Sequence, residues 1–302
     1  MFSVITTAYN DSKYVNVYLD SICHQTMPPS EIIIVDGGSM DNTCKLIEQY
    51  SKHSNILIKC IKRGRLNIAQ AFNIGIKEST NDYIVITCMG NNFSKTMCED
   101  LYSSIRNTEY DAAYGLLFGV DNGKISRLYN KVYIKDTGNE IMSNRCVIYR
   151  RDVFEKIGFF IENFKYAGED AEFLCRFDRF NLKKKLVNKP TVFWETPNSL
   201  KAFKKQRKDY AIAELQYAGI KYCFFTRQQI KWYFMICAII LTPLSIYFLL
   251  LGLLYLIYSF IQKVRMFRSF EVAIFSEYGE IIKNVYYFKN FKYCTSKYRV
   301  AY

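Results

Sequence analysis

The sequence predicts an α/β protein, a mostly parallel central sheet with helices on both faces, followed by a carboxyl-terminal membrane segment. Three observations predict it. From Phe2 to Cys88, short Ile- and Val-rich runs alternate with segments of helical spacing across short connections. One run, Ile32 to Val35, is apolar on both faces, as a covered parallel strand requires, and runs straight into the polar loop D-G-G-S-M-D-N-T at Asp36 to Thr43. Trp232 to Ile261 is an uncharged, overwhelmingly apolar run, long enough at about 1.5 Å per residue to cross a hydrocarbon core of about 30 Å.

Phe2 to Thr6 is the first expected strand, and Asn10-Asp11 can cap a helix whose Tyr14, Val15, Tyr18, Leu19, Ile22 and Cys23 share a face. Pro28-Pro29 breaks the chain before the strand at Ile32. Asp36 stands where that strand ends, the place where open α/β sheets bind ligands. Gly37 and Gly38 allow a sharp turn, and Ser39, Asp41 and Thr43 are cap residues for the helix that follows. That helix turns Leu46, Ile47 and Tyr50 inward and leads to a strand at Ile56 to Ile61. A basic glycine-containing loop from Lys62 follows, then a helix with Ile68, Phe72 and Ile76 on one face, where Ala71 and Gly75 permit close packing. Asp82 to Cys88 is the next buried strand. A helix is expected near Thr96 to Arg106 and a strand near Ala112 to Phe118. The polar stretch Asp121 to Asn144 is long for a structureless loop and is expected to be an insertion or hairpin near an acceptor. Cys146 to Tyr149 resumes as a strand, a short helix ends at Gly158, and Gly168 breaks the chain before Glu169 and Asp170 open a helix that buries Phe173, Leu174 and Phe177.

At 302 residues, half of them hydrophobic, the chain can bury one large core plus an attachment. The ten cysteines lack C-x-x-C spacing, and His24 and His53 are the two histidines, so neither a disulfide framework nor a zinc site is supported; reduced, mostly buried thiols are expected. No G-x-G-x-x-G follows the first strand and no Walker loop is present, which argues against a dinucleotide dehydrogenase or a P-loop enzyme. The first residues read as a strand rather than a cleaved leader, so the amino terminus is expected in the cytosol. Lys183 to Lys231 carries 12 of the basic residues against Glu195, Asp209 and Glu214. Beside an apolar run, that excess points to a membrane surface or a phosphate-bearing partner rather than nucleic acid.

Taken together, these stretches resemble the family 2 glycosyltransferases, enzymes of the GT-A fold that transfer a sugar from a nucleotide donor. The resemblance covers roughly Met1 to Leu215. Thr7-Ala8-Tyr9-Asn10 matches the loop bordering the nucleotide base, and Asp36-Gly37-Gly38-Ser39 with Asp41 and Thr43 matches the D-x-G-S-x-D-x-T loop. The resemblance implies that Asp36 contacts the nucleoside and that Arg63, Arg65 and Asn73, in the loop and helix ending in A-x-N-x-G, border the donor. Gly168-Glu169-Asp170 aligns with the catalytic acidic motif, with Asp170 as general base and Glu169 beside it; acids also favour a helix's first turn on electrostatic grounds alone. Trp194, Gln206 and Arg207 resemble the Q-x-x-R-W region over donor phosphates or acceptor, although Arg follows Gln directly, so a solvated basic helix face remains an alternative.

One departure stands out. Where the family has D-x-D after its strand, this chain has Cys88, Met89 and Gly90. The resemblance implies Mg2+ or Mn2+ on the donor diphosphate, but a thiol is a poor ligand for a hard cation. Asn91 and Asn92 can offer carbonyl oxygens. Weak metal binding, substitution by Arg63 and Arg65, and impaired catalysis all stay open, and no metal ligand is assigned.

The expected organisation is therefore a GT-A domain at 1–215, a basic linker at 216–231, a transmembrane or re-entrant segment at 232–262 and a basic amphipathic tail at 263–302. Lys221, Arg227 and Lys231 flank one side of the apolar run and Lys263, Arg265 and Arg268 the other, so charge gives no direction. Pro243 can bend the run into a hairpin. Phe270, Ile274, Tyr278, Ile281, Val285 and Phe288 recur at helical spacing, as in a helix lying on a membrane or packed on the protein. The implied function is inverting transfer from a UDP-, GDP- or dTDP-sugar to a saccharide or polyprenyl-linked acceptor in cell-surface polysaccharide or glycolipid synthesis. The catalytic domain would face the cytoplasm, against membrane lipid. Two alternatives remain: a non-catalytic relative that binds a nucleotide sugar or a partner enzyme, and a polyprenyl-phosphate sugar transferase.

Overall fold

Strand order gives the frame. The computed structural model describes residues 1–134, 136, 138–164, 166–221 and 246–289, which fall into two compact units. The first unit comprises Met1–Asp121 and Ile134–Thr196. It contains β1 (Ser3–Ala8), α1 (Val15–Cys23), β2 (Glu31–Asp36), α2 (Thr43–Ser51), β3 (Leu57–Lys62), α3 (Ile68–Glu78), β4 (Tyr83–Thr87), β5 (Asn91–Phe93), α4 (Met97–Ile105) and β6 (Ala112–Val120). After α5 (Lys124–Tyr133) it resumes with β7 (Cys146–Arg150), α6 (Asp152–Ile157), α7 (Glu169–Arg179) and β8 (Lys184–Glu195). The sheet runs β3-β2-β1-β4-β7-β6-β8-β5. β1 to β4 are mutually parallel, β7 is antiparallel to both β4 and β6, and β6 and β8 are parallel.

The two-sided apolar pattern of β2 has its expected cause. Ile32 and Ile34 pack under Val15, Leu19 and Ile22 of α1 with Leu101 of α4, while Ile33 and Val35 face Phe72 and Ile76 of α3 in the cluster that holds Phe173 and Phe177 of α7. A Cβ at Gly75 would lie 2.5 Å from Ile5 Cγ2, so the glycine is what lets α3 approach β1.

Several expectations need correction. α1 begins at Val15 with no side-chain cap, and Asn10 instead takes a left-handed φ of 54° in the preceding loop. The thiols among the described residues are free, but only Cys98 and Cys146 are buried. Residues 124–133 form α5, a helix grouped with the second unit rather than a hairpin. β5 and the twelve-residue β8 were not foreseen; the lysines of β8 read as a basic stretch although Val187 and Val192 are buried beneath them.

The second unit comprises Asn122–Tyr133 and Pro197–Tyr302, so the expected boundary at 215 falls inside α8 (Leu200–Lys221). Helices Ile246–Phe267 and Phe270–Lys289 complete its described part. Phe203 stacks on Phe275 at 4.5 Å, and Tyr129 and Tyr133 meet at 4.7 Å. The helix Ile246–Phe267 carries an 18-residue apolar window, Leu250–Phe267, of which 6% is buried. The expectations that rest on 232–245, including Pro243, and on Arg227 and Lys231 lie outside the described residues. Helix Phe270–Lys289 has two apolar faces: Val272, Ala273, Phe275 and Tyr287 are buried, while Phe270, Ile274, Ile281 and Val285 are exposed.

Candidate active site

The antiparallel entry of β7 decides which residues meet. Thr87 at the end of β4 pairs with Cys146 at the start of β7, so the residue after β4, Cys88, faces the residue before β7, Arg145. The carboxyl ends of β1, β2, β4 and β8 thus share one sheet edge with the amino end of β7. Thr7 to Asn10, Asp36 to Ser39, Cys88 to Asn91 and Trp194 all lie on it.

The loop after β2 is built on Asp36, which is buried. Its Oδ2 accepts from the backbone N–H groups of Gly38 at 3.1 Å and Ser39 at 2.9 Å, and its Oδ1 accepts from Ser39 Oγ. Ser39 Oγ accepts from Asn10 N–H at 2.8 Å, and Asn10 Oδ1 accepts from Met40 N–H at 2.8 Å. Thr43 Oγ1 accepts from Asp11 N–H at 2.8 Å. The loops after β1 and β2 are thereby one hydrogen-bonded unit. The carboxylate of Asp36, expected to touch the nucleoside, also shapes the loop, and Tyr9 and Met40 are exposed side chains there. Arg63 and Arg65 follow β3 with exposed side chains, and the backbone of Gly64 and Arg65 packs against Gly38.

Asn73 does not join this edge. Its Nδ2 donates to Phe160 O and Glu162 Oε1, both at 2.8 Å, and its Oδ1 accepts from Phe160 N–H at 3.0 Å, so it clamps the segment after α6. Gln206 and Arg207 stand on α8 in the second unit. Arg207 is buried there, with Nη2 3.2 Å from Glu280 Oε1 and the guanidinium 4.9 Å from the Tyr133 ring centroid. That commitment withdraws Arg207 from the ligand contact expected of it.

The acidic end of the site is set by Gly168, whose φ of 109° admits glycine with least strain and starts α7. Glu169 is 4% exposed. Its Oε1 accepts from Asn144 Nδ2 at 3.3 Å, and its Oε2 has no partner. Half-buried Asp170 accepts from Ala171 N–H at 2.8 Å and from the backbone of Asn144. Burial pushes Glu169 up to about 7, with the Asp170 charge adding to it; burial also raises Asp170, and Arg145 opposes that rise. α7 is fixed from behind by Arg176, whose Nη2 bonds Glu172 Oε2 and Phe159 O, each at 2.8 Å.

Between the nucleotide-side loops and this acid pair lies the departure from D-x-D. Cys88 Sγ donates to Asn144 O at 3.4 Å, and burial pushes the thiol up to about 12, so it stays protonated. Gly90 rests on the Tyr14 ring. Asn91 is buried and donates to Cys88 O at 2.9 Å. Asn91 Oδ1, Asn144 Oδ1 and Glu169 Oε2 are buried oxygens without donors. These residues do not fit a hard divalent cation. The thiol is neutral, burial raises both carboxyls of the acid pair, Glu169 to about 7, and no group of three or more His, Cys, Asp or Glu able to hold a metal occurs among the described residues. Arg145 is the functional candidate that sequence reasoning missed. It is half-buried, its guanidinium lies 4.3 Å from the Trp194 ring centroid, and its charge reaches Cys88, Glu169 and Asp170. Only the antiparallel sense of β7, which no local pattern announces, places it there.

Comparison with known proteins agrees with this architecture. The model of glycosyl transferase family 2 matches residues 3–158, and that of glycosyl transferase family group 2 matches residues 127–268. Glycosyltransferase GlyG of Streptococcus pneumoniae is 29% identical over 121 residues, covering 40% of each chain. EpsJ of Bacillus subtilis, described as an uncharacterized glycosyltransferase, is 26% identical over 218 residues, 66% of this chain and 62% of its own. The structure of mannosyltransferase PcManGT from Pyrobaculum calidifontis, in complex with GDP-Man and Mn2+, shares the fold at a TM-score of 0.55 and 17% identity, over 71% of this chain and 61% of that one. The chain thus spans less than two thirds of the length of each of these proteins. A family model that covers half of the sequence, on a GT-A sheet with its loops gathered at one edge, establishes that this chain belongs to glycosyl transferase family 2.

Proposed function

We propose that the chain is an inverting glycosyltransferase that moves a sugar from a nucleoside diphosphate donor to a saccharide or lipid-linked acceptor at a membrane surface, in the synthesis of cell-surface polysaccharide or glycolipid. The observation that carries this reading is the presence, on one sheet edge, of a braced loop at Asp36 to Ser39 and an acid pair of buried Glu169 and half-buried Asp170. Thr7, Ala8, Tyr9 and Ser39 border the nucleoside. The unpartnered oxygens of Asn91, Asn144 and Glu169 need donors, and the hydroxyls of a sugar supply them. Asp170 takes the proton from the acceptor hydroxyl as that oxygen bonds to the anomeric carbon; the bond from that carbon to the phosphate oxygen breaks on the opposite face, and the nucleoside diphosphate leaves. The apolar helix Ile246–Phe267 and the exposed stripe Phe270, Ile274, Ile281 and Val285 support attachment to a bilayer, with the catalytic unit on the cytoplasmic side.

The test is release of nucleoside diphosphate by the purified full-length protein from UDP-, GDP- and dTDP-sugars in the presence of saccharide and polyprenyl-phosphate acceptors. Asp170→Asn should lower turnover by about a hundredfold or more while leaving donor binding in place. The positions occupied by Cys88, Met89 and Gly90 favour a second reading, a non-catalytic relative that binds a nucleotide sugar. Donor binding with no diphosphate released, whatever the acceptor or metal, would establish that reading and overturn the first.

A further inference from the structure

A donor diphosphate brings two negative charges to a sheet edge that already holds Glu169 and Asp170, so some cation has to accompany it. The residues after β4 do not supply a metal site, as their chemistry above shows. Three arginines are near enough to consider. Arg63 and Arg65 follow β3, which is separated from β4 by β2 and β1 in the strand order. Three strand spacings of about 4.8 Å put their backbone roughly 14 Å from the end of β4, with side chains turned to solvent. Arg145 follows from a different geometry. It precedes Cys146, the residue paired with Thr87 at the end of β4, and is half-buried, with one face of its guanidinium on Trp194. Trp194 in turn is paired in register with Asn91, whose Oδ1 is one of the buried unpartnered oxygens. The arginine is thus braced by Trp194 of β8, next to the residues that stand where the acids are missing.

We propose that Arg145, held against Trp194, takes over the role of the divalent cation on the donor diphosphate, so that this chain binds its nucleotide sugar without metal. The proposal rests on the reading of this edge as a donor site. A guanidinium suits the task because its planar fork matches phosphate oxygens two at a time, and Trp194 fixes its plane without competing for its N–H donors. Arg145 also pulls against the burial that raises Asp170. One side chain would then couple the diphosphate to the base: when the diphosphate draws on its charge, Asp170 becomes more basic.

The experiment is a binding series on the full-length protein in detergent, using nucleoside, nucleoside monophosphate and nucleoside diphosphate of uracil, guanine and thymine, each in EDTA and in Mn2+. The expected result is that one diphosphate binds in EDTA more tightly than its nucleoside, and that Mn2+ changes its Kd less than twofold. Arg145→Gln should weaken the diphosphate by about tenfold or more toward the affinity of the nucleoside, which itself stays unchanged and so reports an intact fold. Arg145→Lys should recover part of the loss, and Trp194→Leu should cost less than Arg145→Gln. Diphosphate binding that requires Mn2+, or unchanged diphosphate affinity in Arg145→Gln, would overturn the proposal while leaving the donor site standing. A purely structural pairing of Arg145 with the acid pair would move the pH dependence of turnover but not the diphosphate increment, and it too would overturn the proposal. Failure of every nucleoside and nucleotide to bind would remove the donor site itself. If Arg145→Gln does not fold, the EDTA and Mn2+ series on the natural chain and on Arg145→Lys decides the question.

Discussion

Glu169 and Asp170 have adjacent positions and different work. Both carboxyls are raised by burial, but Glu169 is the less solvent-exposed residue and carries the added repulsion of its neighbour. A carboxyl that titrates higher in the folded than in the unfolded state binds more protons when folded, so its contribution to stability is full below the ordinary glutamate value and is lost as pH rises toward about 7. The melting temperature of the natural chain minus that of Glu169→Gln should therefore fall between pH 4.5 and 7 and level off above; a flat difference would place Glu169 in contact with water. If Asp170 is the base, as proposed, turnover depends on its ionised form, so the acid limb should lie above the ordinary aspartate range and move further up in Arg145→Gln. Asp36 has a different role again. Asp36→Ala releases the N–H groups of Gly38 and Ser39, and most of the thermal shift given by a bound nucleotide should disappear. A shift of natural size would mean that the loop holds its shape, and the nucleotide, without that carboxylate.

At the scale of elements, α7 carries the acids, and what holds α7 is the pair Glu172–Arg176. Glu172 is fully buried, and Arg176 spans it and the carbonyls of Ile157 and Phe159. Arg176→Ala would take its ion-pair partner from the buried Glu172 carboxylate, and the expected cost is about 3–5 kcal/mol in urea unfolding; a change below about 1 kcal/mol would show that the pair does little to hold α7. The helices and strands up to β4 were legible because each has one dominant period and short connections. The strand β2 announced itself through four apolar residues covered on both faces, and α3 through Phe72, Ile76 and the small Gly75. The later elements were not legible in the same way. β8 mixes Lys184, Lys185 and Lys189 with Val187 and Val192 without a regular alternation, so its charge masked its strand, and α5 has too few apolar residues to stand out from the polar stretch around it. Asp36 and Asn73 were found as positions, but the bonds they make within the protein were not, since a carboxylate or amide in a motif does not reveal how far it also shapes its own surroundings. Arg145 became visible only when β7 was seen to run antiparallel.

At the scale of the molecule, the apolar surface of the second unit is what the proposed membrane attachment rests on. Leu250, Leu251, Leu253, Leu254, Ile257 and Tyr258 are all exposed on one helix, more apolar surface than a soluble unit ordinarily leaves in water. The full-length chain should stay in the membrane fraction through high-salt and alkaline washes, and extraction by alkali alone would show that this helix is covered by protein. Cutting the chain at Lys221 would strip Phe203 of Phe275, and Phe203 and Tyr133 of Gly279, so a stable fragment calls for a break that keeps Phe270–Lys289 with α5 and α8. The central claim, that a nucleoside diphosphate sugar is bound and used at the carboxyl edge of the sheet, is tested most directly by amide hydrogen exchange on the full-length protein with and without UDP, GDP and dTDP. The account predicts that the diphosphate that binds slows exchange in Thr7 to Asp11, Gly37 to Asp41, Cys88 to Asn92 and Asn144 to Arg145 together. Protection confined to other segments, such as the opposite sheet edge at Asp82, Arg150 and Glu155, would contradict it.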